Sequence, residues 1–168
     1  MAEYWDLLDA NRRPLGKLHR RGDPLPEGSY HLVVQIWVRD DAGRFLISRR
    51  HPGKPWPLYW ETTGGSVVAG EDSLTGARRE LEEELGICVP AERMKPLGAI
   101  TREQTIYDVY LVRWNGGLSE LTLQDTEVVD AKWADYDELC AIDDRGEWVY
   151  SEGYFRTWFA PSIEPSGC

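Results

Sequence analysis

Hydrophobic residues recur at helical spacing in one segment of the chain, Ser73–Leu85. The apolar residues that fall on one face of this helix, three or four positions apart, are Leu74, Ala77, Leu81 and Leu85. We expect Ser73 to cap the N-terminus, and Gly86 to end the helix in the left-handed conformation that glycine adopts without strain. The spacing therefore predicts an amphipathic helix that packs on the rest of the domain.

Runs of β-branched and aromatic residues predict most of the remaining elements as strands. Tyr4–Leu8 and residues 14–19 flank a polar turn and predict an N-terminal hairpin. The later predicted strands are His31–Arg39 and residues 44–50, 60–63, 97–102, 105–114 and 127–133, and the later predicted helices are residues 135–142 and 151–158. Gly64 and Gly65 should break the strand that precedes them.

Strands that alternate with few helices indicate an α/β fold, of the α+β kind, in which helices pack on a mixed sheet. No repeat, low-complexity tract or linker divides the chain, and its length suits one domain. We therefore expect a single domain over residues 1–160, with residues 1–28 as an N-terminal hairpin extension. Residues 161–168, rich in Pro and Ser, should form a flexible tail.

The charge balance narrows the classes of partner. Among 168 residues, 19 Lys and Arg stand against 29 Asp and Glu, which gives a net charge of −10. Such an acidic chain lacks the basic surface that a nucleic-acid polymer requires, and no apolar run approaches the length of a membrane span. Three widely spaced cysteines, Cys88, Cys140 and Cys168, form no CxxC pair. Because the N-terminal residues also lack a signal-peptide pattern, we expect free thiols and a cytoplasmic protein.

Three glutamates share one face of the predicted helix, because Glu80, Glu83 and Glu84 stand at positions i, i+3 and i+4. Each uncompensated like-charge pair destabilises a helix by roughly 0.2–0.5 kcal/mol, so a cation should lie against this face. Arg79, about a quarter-turn away, should meet Glu71 rather than the cluster. Clustered carboxylates suit Mg²⁺ or Mn²⁺ better than Zn²⁺. The alternative interpretation of the glutamates alone is a solvated acidic surface.

The residues around these glutamates decide between the two interpretations. They match a pattern of Gly, five residues, Glu, seven residues and Arg-Glu-apolar-any-Glu-Glu-any-Gly-apolar. The matching residues are Gly65, Glu71, Arg79, Glu80, Leu81, Glu83, Glu84, Gly86 and Ile87. This pattern resembles the box that defines the Nudix hydrolases, and a chance match in such a chain has a probability on the order of one in ten million.

The resemblance to the Nudix family implies a fold and a metal site. The family fold is an α/β/α sandwich with a mixed sheet, in which the box forms a loop, a helix and a second loop. By this resemblance, the ligands of a divalent metal, Mg²⁺ or Mn²⁺, are Glu80, Glu83, Glu84 and the backbone carbonyl of Gly64 or Gly65. Glu71 and Arg79 resemble the pair that locks the loop onto the helix.

Residues outside the box complete the expected site. Glu127 resembles a distant glutamate that many Nudix enzymes bring to the metal, so the catalytic base is either Glu83 or Glu127. Arg50 resembles a substrate-contacting arginine at the end of the second core strand. An ordinary solvated charge is the alternative for Glu127 and Arg50. Trp56, in a loop with three prolines, is a candidate for stacking on the organic part of the substrate.

Nudix enzymes hydrolyse a nucleoside diphosphate linked to another group, so the resemblance implies a pyrophosphohydrolase. The expected reaction is in-line attack of water on phosphorus of a small diphosphate substrate, without a covalent intermediate. Our expected substrate is a nucleoside di- or triphosphate, or a nucleoside diphosphate linked to another moiety. We expect the enzyme to be a monomer or a homodimer.

Two other functions remain as alternatives. Residues 1–142 as a whole resemble a bacterial group that is likened to isopentenyl-diphosphate isomerase. That isomerase uses a cysteine beside the glycine that precedes the box, whereas residues 60–66 contain no cysteine. The second alternative is a catalytically silent Nudix domain that senses nucleotides. Such domains typically lose a glutamate of the box, and here all of them are present.

Overall fold

An N-terminal hairpin and a mixed sheet of seven strands make up the β structure of the protein, in a computed structural model that describes residues 2–149 and 155–163. The hairpin consists of β1 (Tyr4–Leu8) and β2 (Pro14–Arg20). The sheet contains β3 (His31–Arg39), β4 (Phe45–Arg50), β5 (Trp60–Glu61), β6 (Thr63–Ser66), β7 (Lys95–Arg102), β8 (Thr105–Arg113) and β9 (Val128–Ala134). The helices are α1 (Ser73–Leu85), α2 (Tyr136–Asp144) and α3 (Ala160–Ile163), with a π-helical turn at Phe155–Phe159 and 3₁₀ turns at Ala91–Arg93 and Leu118–Glu120.

β3 lies in the middle of the sheet and carries much of its apolar surface. It pairs antiparallel with β4, and parallel with β8 over its whole length. The strand order is β5-β4-β3-β8-β7, while β6 also pairs with β3 and β9 with β4. A central strand that has helices on both faces is buried on both sides. This burial explains why β3 reads as an almost continuous hydrophobic run.

One hydrophobic core lies on each face of the sheet. α1 covers the first face, where Leu81 and Leu85 pack in one cluster with Ile36 of β3. α2 and the C-terminal helical segment cover the other face, where Trp37 and Trp148 stack with their ring centroids 5.9 Å apart. Full burial of a leucine side chain contributes roughly 1.5–3 kcal/mol, so the apolar face of α1 holds this helix on the sheet. The predicted α/β/α sandwich with a mixed sheet is confirmed.

The N-terminal hairpin is also confirmed, and it is fixed to the rest of the domain. The backbone N–H groups of Ala69 and Gly70, in the loop before α1, donate hydrogen bonds to the hairpin at 2.8 and 2.7 Å. From the hairpin turn, Arg12 donates two hydrogen bonds of 2.6 Å to the buried carboxylate of Asp108 on β8. These contacts make the hairpin a fixed wall beside the loop that leads into α1.

Two predictions about local structure were wrong. The N-cap of α1 is Asp72 rather than Ser73, because the Asp72 carboxylate accepts a hydrogen bond of 2.7 Å from the N–H of Thr75. Gly64 and Gly65 do not end an extended segment but lie within β6. They are held there by pairing with β3, so tertiary pairing outweighs the low strand propensity of glycine.

The C-terminal segment differs from the predicted tail in part. Residues 160–163 form α3, in which Ala160 and Ile163 are buried in the core beneath α2. Residues 164–168 of the predicted tail, and the beginning of the helix predicted over residues 151–158, lie outside the described residues. Within residues 2–149 and 155–163, no helix combines the length and the apolar character needed to cross a bilayer.

Replacing Asp72 with alanine should lower the free energy of unfolding by about 1 kcal/mol, because the N–H of Thr75 loses its acceptor. Urea denaturation followed by circular dichroism measures this loss. The matched control is Glu82→Ala on the exposed side of the same helix, which should change the stability by less than about 0.5 kcal/mol. Equal losses in the two variants would contradict the assigned cap.

Candidate metal and diphosphate site

α1 carries the three clustered glutamates to the edge of β6. Glu84 is buried, with 3% of the residue exposed, and it accepts a long hydrogen bond of 3.4 Å from the N–H of Gly64. The carboxylate of Glu80 is mostly buried as well, whereas that of Glu83 is 51% exposed. The three carboxylates therefore extend from the protein interior to solvent along one side of the helix.

Two glycines of β6 permit close packing around this strand, Gly64 against the backbone of β3 and Gly65 against the Glu80 side chain of α1. A Cβ atom at Gly64 would lie 2.2 Å from the carbonyl oxygen of Val34, and one at Gly65 would lie 2.4–2.5 Å from the Glu80 carboxylate. The distance at Gly64 is far shorter than a van der Waals contact and involves backbone, so only glycine fits there, whereas a side chain at Gly65 would displace the Glu80 carboxylate. The role of the Gly64 carbonyl as a metal ligand stays a prediction.

Arg79 joins the loop before α1 to the helix. Its guanidinium donates to the Glu71 carboxylate at 2.9 and 3.0 Å, as the sequence predicts, and to the carbonyl of Ser66 at 3.0 Å. It also donates to Glu80 at 2.8 Å and to Glu83 at 3.0 Å. The expectation that Arg79 points away from the glutamate cluster was therefore wrong, because its long side chain reaches both sides of the helix.

Burial and like charge act together on the carboxylates of the site. Burial raises the pKa of Glu84 well above its ordinary value of 4.5, and the neighbouring carboxylates of Glu61 and Glu80 raise it further. Burial also raises the pKa of Glu80, although Arg79 opposes this effect. For Glu61, burial again raises the pKa, against the opposing charges of Arg50 and Lys54. The fold thus concentrates negative charge that a further cation would stabilise.

Two residues of this neighbourhood were missed by the sequence analysis. Glu61 follows the buried Trp60 in β5 and forms an ion pair with Arg50, the last residue of β4. Lys54 comes from the loop with three prolines, and its ammonium group forms an ion pair with Glu127. The only signal in the sequence is a lysine in a loop directly after the strand that ends in Arg50. Its pairing with a residue 73 positions away (127 − 54) depends on the folded topology.

Two adjoining clefts open beside these residues. The first, here called the metal cleft, has a volume of about 160 Å³, and its lining includes Lys54, Gly64, Glu80, Glu83, Glu84 and Glu127. The second, here called the side cleft, has a volume of about 360 Å³, and its lining includes His31, Gln35, Arg50, Glu61, Thr105 and Tyr107. Both clefts share Arg21, Lys54, Gly64, Gly65 and Ser66, so they form one continuous depression.

The carboxylate oxygens of the metal cleft are the kind of ligand that a hard divalent cation prefers. Their side chains are not arranged around a common centre. Across the described ranges, no three His, Cys, Asp or Glu side chains are arranged to hold a metal ion. Arg79 and Lys54 already engage carboxylates of the cleft. Their charge does not satisfy the whole cluster, since Glu84 is buried among carboxylates. In the described structure, one oxygen of Glu61 is also buried without a hydrogen bond. Carboxylates with such uncompensated charge are suitable ligands for Mg²⁺ or Mn²⁺.

The remaining predicted site residues are divided between the clefts and the surface. Glu127 lines the metal cleft and Arg50 lines the side cleft, where Arg50 also donates a hydrogen bond of 2.8 Å to the carbonyl of Pro55. Trp56 is not among the lining residues of either cleft and is 40% exposed. Its backbone has a positive φ of 51°, which is unusual for a bulky residue. The structure therefore brings together every predicted site residue that is charged, but not Trp56.

Comparisons with known proteins agree with this geometry. A family model described as NUDIX domain matches residues 29–158 of the 168. The chain belongs to the Nudix family. An uncharacterized Nudix hydrolase of Listeria monocytogenes is 38% identical to it over 149 residues, which cover 88% of each chain. Nudix hydrolases cleave diphosphate bonds in nucleoside diphosphate derivatives, so family membership supports a pyrophosphohydrolase.

Two further similar proteins bear on the fold of this Nudix chain and on the isomerase as an alternative function. An isopentenyl-diphosphate Delta-isomerase of Klebsiella pneumoniae is 28% identical over 161 residues, which cover 89% of this chain and 85% of the isomerase. A crystal structure of a Deinococcus radiodurans protein matches 91% of this chain and 94% of its own with a TM-score of 0.75. At 24% sequence identity, this second likeness concerns the fold alone.

In EDTA, Glu84→Gln should become increasingly stable relative to wild type as the pH rises from the ordinary glutamate pKa of 4.5 toward the raised pKa of folded Glu84. The raised pKa of Glu84 means that the folded wild type retains a proton that the unfolded chain has lost, so its stability falls as the pH rises through this window. Urea denaturation at several pH values measures the difference, and Mn²⁺ should reverse it in favour of wild type. The control is Glu82→Gln, whose stability relative to wild type should not change with pH. The same pH-independent result for Glu84→Gln would contradict the raised pKa of Glu84.

Proposed function

We propose that the protein is a metal-dependent hydrolase that cleaves a diphosphate bond by attack of water on phosphorus. Its substrate is a nucleoside di- or triphosphate, or a nucleoside diphosphate linked to another moiety. The observation that supports this proposal most strongly is the meeting of Glu80, Glu83 and Glu84 in one cleft, with Glu127 on the same cleft. Membership of the Nudix family supports the same class of reaction.

We propose roles for the carboxylates of the box that line the metal cleft. We assign Glu80, Glu83, Glu84 and the carbonyl of Gly64 as the groups that would hold Mg²⁺ or Mn²⁺. When bound, such an ion polarises the phosphate and lowers the pKa of water. Arg79 holds Glu80 and Glu83 in place through its hydrogen bonds, and Glu71 fixes Arg79. A bound diphosphate is anionic, so its approach to a protein of charge −10 requires local cations.

The attacking water needs a group that accepts its proton. Two carboxylates of the metal cleft suit this role, Glu83 and Glu127. Arg79 donates a hydrogen bond of 3.0 Å to Glu83, and Lys54 forms an ion pair with Glu127. Because Glu83 is also assigned as a metal ligand, a larger rate loss in Glu127→Gln than in Glu83→Gln would identify Glu127 as the base.

Basic residues at the junction of the clefts suit the phosphates of the substrate. Arg21 and Lys54 line both clefts, and Arg50 lines the side cleft. We propose that these three side chains contact the diphosphate beside the metal cleft, since guanidinium and ammonium groups are the usual protein partners of phosphate. Trp56 is left out of this proposal, because neither cleft includes it.

An isoprenoid isomerase is the second candidate, because a relative that covers most of the chain is an isopentenyl-diphosphate Delta-isomerase. Protonation of a carbon–carbon double bond requires an acidic group at the reacting carbon. Residues 60–66 contain no cysteine, and neither Cys88 nor Cys140 lines either cleft. Hydrolysis is therefore the better supported reaction. The complete set of box glutamates likewise disfavours a silent nucleotide sensor.

We propose the cytoplasm as the place of action and a small diphosphate as the only obligatory partner. Cys88 and Cys140 are free thiols, as expected in a reducing compartment. Cys168 lies outside the described residues. The monomer and the homodimer both remain compatible with this proposal.

Glu83→Gln should lower kcat by about 10²–10⁴-fold for the preferred substrate and leave the fold intact, because the side chain is half exposed and serves the reaction rather than the core. Substrate loss and product formation are followed by chromatography for a panel of nucleoside di- and triphosphates, nucleotide sugars, dinucleotides and isopentenyl diphosphate, each with Mg²⁺, Mn²⁺ or EDTA. Glu82→Gln, one position away on the solvent side of α1, should retain wild-type rates. Wild-type rates in Glu83→Gln, or hydrolysis that EDTA does not abolish, would contradict the proposal.

A further inference from the structure

Buried polar atoms in the side cleft find no partner within the described protein. They are the side-chain oxygen of Gln35, the Nδ1 nitrogen of His31 and the Oε1 oxygen of Glu61, none of which forms a hydrogen bond with any described residue. All three residues line the side cleft. An unpaired buried polar group destabilises a fold by roughly 1–3 kcal/mol, so native proteins rarely keep several together without a function.

Gln35 is the least expected of the three from the surrounding sequence. It lies in the middle of β3 and is 6% exposed, and its neighbours Val34 and Ile36 both belong to the core beneath α1. Because side chains alternate along a strand, Gln35 faces the opposite side of the sheet, as Trp37 does. An apolar residue at this position would extend the second core, yet the chain carries an amide there.

The unpaired atoms define the chemistry of a complementary ligand. The oxygens of Gln35 and Glu61 accept hydrogen bonds, and burial lowers the pKa of His31, so that its neutral ring also offers an acceptor nitrogen. The ring of His31 is held in place by stacking on Trp5, with centroids 4.3 Å apart. A fitting ligand must therefore present N–H or O–H groups. A nucleoside has such donors on its base and ribose, whereas an isoprenoid chain has only C–H groups.

The position of Gln35 places this chemistry next to the proposed reaction. Gln35 is directly opposite Gly64 in the β3–β6 pair, and the N–H of Gly64 donates to Glu84. Cα atoms of directly opposite residues lie about 4.5–5.5 Å apart. The side cleft, at about 360 Å³, also falls in the size range of small-molecule sites. Because the side cleft and the metal cleft share Arg21, Lys54 and Gly64, one ligand can extend its diphosphate toward the metal cleft and its organic half over Gln35.

We propose that Gln35 is a specificity-determining residue, whose amide hydrogen-bonds the base or ribose of a nucleoside diphosphate and so favours it over an isoprenoid diphosphate. His31 and Glu61 supply additional acceptors in the same cleft. An isoprenoid chain in this cleft would leave all three groups buried and unpaired, which is a strong basis for rejection. This inference rests on the proposed hydrolysis and adds which organic group of the substrate the side cleft accepts.

Gln35→Leu tests this role, because leucine has a similar volume but no hydrogen-bonding group. The KM for the preferred nucleoside diphosphate, among ADP, GDP, CDP and UDP, should rise by about 10- to 100-fold, with kcat changed by less than about threefold. Hydrolysis of isopentenyl diphosphate should be unchanged or faster. The Tm of the ligand-free variant should equal or exceed that of wild type, since an unpaired buried amide has been removed.

The chain offers a matched control in Gln104, which is hydrogen-bonded and does not line either cleft. Its side-chain NH₂ donates to the carbonyls of Pro26 and Ser29 at 2.7 and 3.0 Å. Gln104→Leu should therefore lower the Tm and leave KM unchanged. If Gln35→Leu folds poorly, Gln35→Met replaces it with a more flexible side chain. An unchanged KM in a folded Gln35 variant, or a fall in Tm like that of Gln104→Leu, would overturn the proposal.

Failure of this inference is distinguishable from failure of the proposed hydrolysis. If wild-type protein hydrolyses no member of the panel, the hydrolase proposal fails. The role of Gln35 can still be tested, by measuring with calorimetry how tightly wild type and Gln35→Leu bind the same nucleoside diphosphates. Equal affinity of both proteins for all four would overturn the role of Gln35. A comparison of ADP with 2′-deoxy-ADP then separates the two sources of donors, since a contact with the ribose 2′-hydroxyl loses its dependence on Gln35 in the deoxy compound.

Discussion

Buried negative charge is the constraint on which the arrangement of this protein depends. Glu84 lies in the interior next to the carboxylates of Glu61 and Glu80, and the burial of like charges is unfavourable unless cations compensate for it. Arg79 supplies one such cation and at the same time ties the box loop to α1. Lys54 supplies another from the opposite side of the cleft. The charge that remains is what makes the cleft a suitable site for a divalent metal and, through it, for a diphosphate.

The surrounding architecture brings these charges together and keeps them accessible. β3 provides a rigid backbone for β6, where the absence of a side chain at Gly64 permits close pairing with β3 and its absence at Gly65 leaves room for the Glu80 carboxylate of α1. The N-terminal hairpin, fixed through Arg12 to Asp108, forms a wall from which Arg21 reaches both clefts. In the proposed function, α1 and β6 hold the metal-binding groups, while Lys54 from a loop, Arg21 after the hairpin and the strand residues Arg50 and Gln35 contact the substrate.

The sequence predicts the parts of this site whose causes are local. The leucine repeat and the spacing of the glutamates follow from helix geometry alone, so α1 and its acidic face are correct. Lys54 and Glu61 could not be found in the same way. The ion pairs of Lys54 with Glu127 and of Glu61 with Arg50 depend on how distant segments fold over the sheet. Gln35 gave no signal either, since a polar residue in a strand becomes informative only when its lack of a partner is known. Arg79 was misplaced because a helical angle ignores the reach of a long side chain.

The most direct test of this account is a crystal structure of the protein soaked in Mn²⁺, with anomalous scattering used to locate the metal. The account predicts an anomalous peak within coordination distance of Glu80, Glu83 and Glu84, and a shift of the Arg79 guanidinium away from at least one of these carboxylates. A peak at another place, or none at Mn²⁺ concentrations that support hydrolysis, would contradict the claim that these three carboxylates form the metal site.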